Sequence, residues 1–348
     1  MVLDRMTEYG HETVTYLTDP ETGLQAIVAV HDTTLGPSLG GTRMLPYDTE
    51  AEALRDVLRL SEAMTYKAAA ANLDLGGGKA VIVGDPERKT EEMMAAYGRA
   101  VDALGGRYIT SVDINTGVED LDVIASQTDH VVGVSDGLGD PSPVTAYGVF
   151  RGLEETARYE LGRPVSELSV AIQGIGKVGT GLAERLLERG ADVTVSDVDA
   201  DAVETFADEH GIDTIAPEDV YAESCDVFAP CAIGGVLNDD TIPQLNCEVV
   251  AGGANNVLER PEHAEMLRDR GIRYAPDYVI NAGGLITVHT EYEGGTIEDA
   301  FEKADRIGDR LVELYERADA RDVTPLQAAR EYAEERLERE RDPITTTA

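Results

Sequence analysis

Two α/β domains are expected from three observations. Short β-type runs alternate with amphipathic helical stretches along most of the chain. A Gly/Pro-rich break, Ser135-Asp-Gly-Leu-Gly-Asp-Pro-Ser-Pro143, divides it. Beyond that break, a strand-like run leads directly into Gly174-Ile-Gly-Lys-Val-Gly179. The expected organisation is an N-terminal α/β domain over 1–134, a Rossmann-type dinucleotide-binding domain over 142–320, and a C-terminal helix over 321–348. A chain of 348 residues can bury two separate cores.

Residues 12–17 and 24–31 read as strands joined through the turn cluster Asp19-Pro-Glu-Thr-Gly23. Residues 35–43 follow as a glycine-rich loop, in which paired N–H groups at Gly40 and Gly41 can hold a carboxylate; an ordinary connection explains them equally well. The pattern over 49–71 is helical, with Leu54, Val57, Leu58 and Met64 as its apolar stripe. Lys67 falls near the C-terminal end, where the helix dipole also favours a cation.

The stretch Leu73-Asp-Leu-Gly-Gly-Gly-Lys-Ala-Val-Ile-Val83 organises this half. Three glycines read as a turn that lets backbone lie against a ligand, and Lys79 is then delivered into an apolar run. Burial there would disfavour the ammonium and make the amine a usable base near neutral pH, the competing reading being a snorkelling surface lysine. A P-loop needs a glycine five residues before Gly-Lys and a hydroxyl after it; Leu73 and Ala80 stand there instead. Further on, a strand over 80–83, a helix over 90–104, a strand over 108–114, a helix over 118–126 and a short strand over 130–134 are expected. Asp113, at the end of a strand, is a candidate catalytic carboxylate or an N-cap for the next helix.

Ser142-Pro143 opens a helix to 161. The strand over 168–173, the glycine motif, a helix over 180–189, a strand over 191–196 and Asp197, 23 residues after Gly174, complete a dinucleotide fingerprint. Gly174 makes the turn, Gly176 admits the pyrophosphate and Gly179 packs the helix, with Ile175, Lys177 and Val178 completing the loop. Asp197 would bond a ribose 2′-OH and repel a 2′-phosphate, which favours NAD over NADP; Lys177, inside the loop, softens that preference. Strands over 226–229, 248–252 and 273–275 follow, then one long charged helix over 297–319 and a second over 326–341.

Composition narrows the partners. The chain carries 67 acidic against 29 basic residues, a formal net charge of −38. Such a surface repels nucleic acid and anionic membranes, whose affinity rests on Lys and Arg meeting phosphates. It also repels itself in dilute buffer, a penalty that molar salt removes by shortening the Debye length to ~3 Å. A salt-rich cytoplasm is therefore expected. No apolar run approaches the ~18 residues of a membrane span, and the start lacks a signal-peptide pattern. Only five lysines occur, and three of them, Lys67, Lys79 and Lys177, lie in or beside the glycine motifs. Cys225, Cys231 and Cys247 form no CxxC pair and read as packed thiols; no metal site is expected.

Gly40-Gly-Thr-Arg-Met, Met64-Thr-Tyr-Lys67, Gly76-Gly-Gly-Lys79, Pro141-Ser-Pro-Val-Thr-Ala-Tyr-Gly-Val149, Ala229-Pro-Cys-Ala232, Ala254-Asn-Asn256 and Asn281-Ala-Gly-Gly284 together resemble the Glu/Leu/Phe/Val amino-acid dehydrogenase family, closest to its leucine-acting branch. The likeness spans nearly the whole chain in the family's motif order. It implies NAD-dependent, reversible oxidative deamination of an L-amino acid to the 2-oxo acid and ammonia, in a homo-oligomer whose active site lies in a cleft between the domains. Lys67, helped by backbone near Gly40 and Gly41, would bind the substrate carboxylate. Lys79 would activate water and Asp113 would shuttle protons at nitrogen. Asn255 and Asn256 would help hold cofactor and substrate, Thr145 would lie near the nicotinamide, and Ala232 would border the cofactor.

Glutamate-acting members generally carry a lysine just before the first Gly-Gly, where this chain has Leu39. A second substrate carboxylate would go unpaired there, so an aliphatic side chain is expected, lined by Leu39 and, by resemblance, Leu285 and Val288. Ile114-Asn-Thr-Gly117, Ser111, Leu285 and Thr287 depart from the leucine-acting pattern beside that pocket, which keeps phenylalanine as a rival substrate. Glutamate is a weaker rival, and a non-catalytic NAD-responsive binding protein is the rival from outside the enzymes.

Overall fold

The computed structural model describes residues 1–341. Internal contacts group the chain into two units, one of 1–140, 288–295 and the segment from 333 onward, the other of 141–287 and 296–332. Segment 288–295, which the sequence reading assigns to the second domain, groups with the first. The Glu291 carboxylate there accepts the backbone N–H groups of Gly133 at 2.6 Å and Leu138 at 3.0 Å.

In the first unit the order is α1 (Val2–Tyr9), β1 (Thr13–Asp19), β2 (Leu24–Asp32), β3 (Ser38–Leu45), α2 (Glu50–Ala70), β4 (Gly76–Val83), α3 (Glu91–Asp102), β5 (Tyr108–Ser111) and α4 (Val118–Ala125). The strands form one mixed sheet, β1-β2-β4-β3-β5, antiparallel at β1–β2 and β2–β4 and parallel at β4–β3 and β3–β5. Strand alternation gives that sheet two apolar faces. Val28, Val30, Ala80 and Ile82 meet Tyr97 and Leu121 of α3 and α4. Ile27, Ala29 and Val81 meet Leu54, Val57 and Leu58 of α2.

The glycines are where the sequence reading fails. Residues 38–45 form a strand rather than a loop, and Gly76, Gly77 and Gly78 open β4 rather than make a turn. None of these three glycines has positive φ. A Cβ on Gly77 would overlap Thr65 and the Ser61 carbonyl, so glycine here serves the approach of α2 to the sheet, not of a ligand to a turn. The expected strand at 130–134 shrinks to one bridge, Thr110 with Val131, because Gly133 (φ +84°) turns the chain away.

Helix α2 is capped by Thr49, whose Oγ1 accepts the Glu52 N–H at 3.2 Å. At its other end Arg336 donates to the carbonyl oxygens of Ala69 (3.2 Å) and Leu73 (2.9 Å) and pairs with Asp74 at 2.7 Å. These bonds place a cation at the C-terminal end of the helix that carries Lys67, the end its dipole favours.

The second unit holds α5 (Ser142–Leu161), β6 (Ser169–Gln173), α6 (Lys177–Glu188), β7 (Asp192–Ser196), α7 (Ala200–His210), β8 (Asp213–Thr214), β9 (Val227–Pro230), β10 (Val249–Val250), α8 (His263–Asp269), β11 (Arg273–Tyr274) and α9 (Asp277–Ile280). Helix α10 (Gly283–Tyr292) follows, then α11 (Ile297–Asp305), α12 (Ile307–Arg321) and α13 (Pro325–Arg341). Its six strands are all parallel in the order β11-β10-β9-β6-β7-β8. The strand order reverses between neighbouring β6 and β9, the switch point where such sheets bind ligands. The long helix expected over 297–319 is two helices meeting at Arg306. The break lies beside Gly308, where α12 approaches Arg151 and Glu155 of α5 too closely for any side chain. No helix among the described residues is long and apolar enough to cross a membrane.

Candidate active site and dinucleotide loop

Leu39, Gly41 and Arg43 alternate along β3 on the α2 side of the sheet, next to Gly77, Lys79 and Val81 of β4. Lys79 is therefore held between the sheet and α2 and is only 8% exposed. Its Nζ lies 2.5 Å from Asp113 Oδ2, and Arg43 Nε reaches the same oxygen at 3.0 Å. Gly41 lets the Val112–Asp113 backbone close over β3, since a Cβ there would overlap the Val112 carbonyl. Asp113 does not cap the next helix: that helix begins after Gly117, and the Asp113 N–H bonds Thr116 Oγ1 at 3.0 Å.

The electrostatics suit acid–base work. Burial lowers the Lys79 pKa below the ordinary lysine value, against the raising pull of Asp113. Burial alone would raise the Asp113 pKa, but Lys79 and then Arg43 outweigh it and hold the carboxylate below its usual range. A less basic amine thus faces an ionised carboxylate. Lys67 sits in the last turn of α2, half-buried. Leu39 is buried to 2%. Gly40 and Gly41 pair with Thr110 and Ser111 of β5, while the ladder to β4 passes from Leu39–Gly77 to Thr42–Ala80.

In the second unit the dinucleotide fingerprint sits at the carboxyl edge of the parallel sheet. Gly174 (φ +103°) turns the chain out of β6, and a Cβ on Gly179 would overlap the Gly174 carbonyl. A Cβ on Gly176 would meet nothing within 4 Å. The loop therefore leaves open space at the N-terminus of α6, a cradle suited to a pyrophosphate. Asp197 follows β7; its Oδ2 accepts the Ile175 N–H at 2.7 Å and its Oδ1 the Asp199 N–H at 3.0 Å. Burial raises its pKa, but those backbone donors outweigh burial and keep it ionised. Ala232, exposed after β9, abuts Gly174. Asn281 donates to Asn255 Oδ1 at 2.9 Å, and Asn256 is exposed with φ 52°. Thr145 bonds the Pro141 carbonyl at 2.9 Å and lies against Gly283.

The structure thus assembles two constellations. Lys79, Asp113, Leu39 and Gly41 share one sheet face of the first unit; the glycine loop, Asp197, Ala232, Asn255 and Thr145 belong to the second. Leu285 is buried on α10 in the second unit, whereas Val288, one turn on, groups with the first. Sequence reasoning overlooked Arg43, quoted only as part of a motif, and Asp56, which pairs with it at 3.0 Å. Nothing in the local pattern around Asp56 sets it apart from the other acids of α2.

A dinucleotide cradle together with a desolvated lysine held against a carboxylate belongs to a pyridine-nucleotide-dependent oxidoreductase. Comparison with known proteins agrees and narrows the class. The family description "Glu/Leu/Phe/Val dehydrogenase, dimerisation domain" matches residues 11–130, and "Glutamate/Leucine/Phenylalanine/Valine dehydrogenase" matches 136–214 and 196–340. Leucine dehydrogenase of Geobacillus stearothermophilus is 48% identical over 338 residues, spanning 96% of this chain and 92% of its own. That of Bacillus subtilis is 46% identical over 341 residues, spanning 97% and 94%. The crystal structure of L-tryptophan dehydrogenase from Nostoc punctiforme matches with a TM-score of 0.90 at 43% identity, over 98% of this chain and 100% of that one. The chain belongs to the Glu/Leu/Phe/Val dehydrogenase family and is an amino-acid dehydrogenase.

Proposed function

We propose that the enzyme catalyses the reversible NAD-dependent oxidative deamination of leucine, valine or isoleucine to the 2-oxo acid and ammonia. One observation supports this most directly: Lys79 is paired to Asp113 at 2.5 Å on the same sheet face as Leu39, a buried apolar residue that offers no cation to a second substrate carboxylate. Lys67 would hold the substrate carboxylate, with backbone at Gly40 and Gly41 beside it. Leu39, Leu285 and Val288 would enclose the aliphatic side chain, and Asn256 would help hold the substrate.

The nicotinamide, when bound, supplies the acceptor for the hydride leaving the substrate Cα. Neutral Lys79 takes a proton from the water that adds to the imine carbon. Asp113 takes and returns protons at the substrate nitrogen, so that it leaves as ammonia while the carbonyl forms. Thr145, Gly174, Ile175, Gly176, Lys177, Val178, Gly179, Asp197, Ala232 and Asn255 would hold the cofactor. Ionised Asp197 supports NAD over NADP, because it would repel a 2′-phosphate. The substrate domain would span 1–134 and the NAD-binding domain 142–320, with the C-terminal helix, described to Arg341, returning to the first domain.

The excess of 67 acidic over 29 basic residues supports a salt-adapted protein of a salt-rich cytoplasm, free of nucleic acid and membrane. A first domain matching a family dimerisation domain supports a homo-oligomer. The deciding experiment is NADH formation in molar KCl with L-leucine, L-valine, L-phenylalanine, L-tryptophan and L-glutamate supplied separately. Fastest turnover with the branched-chain substrates is expected. Preference for an aromatic substrate, in line with the tryptophan-acting relative, would overturn the aliphatic assignment but keep the reaction.

A further inference from the structure

The Lys79–Asp113 pair does not stand alone. Arg43, with a side chain 14% exposed, bridges two carboxylates: its Nε meets Asp113 Oδ2 at 3.0 Å and its Nη1 meets Asp56 Oδ2 at 3.0 Å. Asp56 is in turn held by the Tyr47 hydroxyl, which donates to Oδ2 at 2.7 Å, and by Arg59 Nη2 at 3.1 Å from Oδ1. The result is a chain of alternating charge from α2 through β3 to the loop after β5. A guanidinium fork is rigid and planar, so fixing one arm fixes the direction of the other.

The Lys79 amine and the Arg43 guanidinium both end on one oxygen of the Asp113 carboxylate, Oδ2. We infer that Arg43, clamped by Asp56, is a positioning residue that pins Asp113 Oδ2 against Lys79 and leaves Oδ1 to exchange protons with the substrate nitrogen. The inference rests on the proposed roles of Lys79 and Asp113 and adds to them how the carboxylate is aimed. No shared charge alone would need Asp56; a point charge beside Asp113 would do. Asp56 is what turns the charge into a direction.

Charge and aim separate experimentally. Facing Asp113 are Lys79 from β4 and Arg43 from β3, with Asp56 of α2 behind Arg43. Arg43 also acts on Lys79, depressing its pKa, whereas Asp56 raises it. Removing the guanidinium charge therefore raises the pKa of both catalytic groups. Arg43→Gln is expected to lower kcat ~10–100-fold, part of the ~10²–10⁴-fold a positioned proton-transfer group contributes, and to move the acid limb of the pH–rate profile to higher pH. Arg43→Lys keeps the charge but not the fork; it should lose a similar factor in kcat with the limb nearly unmoved. Asp56→Asn should also lower kcat, without an upward shift, and with the amino-acid KM changed far less than kcat.

Each variant is checked for a native melting transition and for NADH binding by fluorescence, and Lys79→Ala is assayed alongside. If Arg43→Gln does not fold, Arg43→Lys and Asp56→Asn decide. Inactive Lys79→Ala beside an Arg43→Lys and an Asp56→Asn of normal kcat overturns the positioning role alone. Active Lys79→Ala overturns the underlying assignment instead.

Discussion

Gly77 of β4 and Thr65 of α2 touch so closely that no side chain fits between them. That contact brings the helix bearing Lys67 onto the strand bearing Lys79. Gly77→Ala must push helix and strand apart, at the ~1–3 kcal/mol typical of overpacking. The melting temperature should fall by several degrees and the amino-acid KM should rise. An unchanged melt would mean that α2 yields without cost.

Lys79→Ala removes the proposed base and leaves the Asp113 carboxylate beside Arg43. Turnover should drop by at least the ~10²–10⁴-fold expected for a general base, while NADH affinity, which the proposal assigns to the glycine loop of the other unit, should stay near normal. Fluorescence titration and steady-state rates in the same molar-salt buffer check both halves. Near-normal turnover would remove Lys79 from the mechanism.

Leu39→Lys places a cation on the face that carries Lys79. Glutamate turnover relative to leucine should increase, and thermal stability should decline because position 39 is buried to 2%. A substrate panel on the purified variant measures the ratio. No increase would show that Leu39 does not border the substrate side chain.

His11 couples the first unit to pH. Its ring bonds Ser61 Oγ at 2.7 Å and stacks edgewise on His31 at 4.8 Å, and burial first, then His31, lowers its pKa from 6.5 to about 4. Between those two values the unfolded chain binds a proton that the folded chain refuses, so this group makes stability fall as pH falls from 6.5 toward 4. Protonation of surface carboxylates relieves self-repulsion over part of the same range, so the comparison must be internal. Wild type should lose more melting temperature than His11→Gln between pH 7 and pH 5; equal losses would rule out His11.

Much of the second unit is legible because its chemistry is local. Strand, glycine loop, helix and Asp197 fall within one short segment, and the turn at Gly174 needs positive φ wherever it occurs. The glycines of the first unit obey a different cause. At 76–78 no φ is positive, and the residues that exclude side chains, Thr65, Asp32, Ser38 and Tyr108, come from other elements. Reading a triple glycine as a turn is correct for an isolated peptide and wrong against a packed helix. Likewise, Asp113 at a strand end satisfies the local rule for an N-cap, yet the helix begins only after Gly117.

Residue types and their order carried the class of this enzyme: a strand, glycine loop, helix and Asp197 in one segment, and motifs that follow the order of the Glu/Leu/Phe/Val dehydrogenase family to which the chain belongs. Only the folded chain decided how the Asp113 carboxylate is held. Arg43 lies 70 residues from Asp113 and 13 from Asp56, and no periodicity in the sequence links the three. Their ion pairs arise because parallel strands β3 and β5 and helix α2 converge at one end of a sheet, and side-chain electrostatics acts over ångströms in space, whatever the separation along the chain.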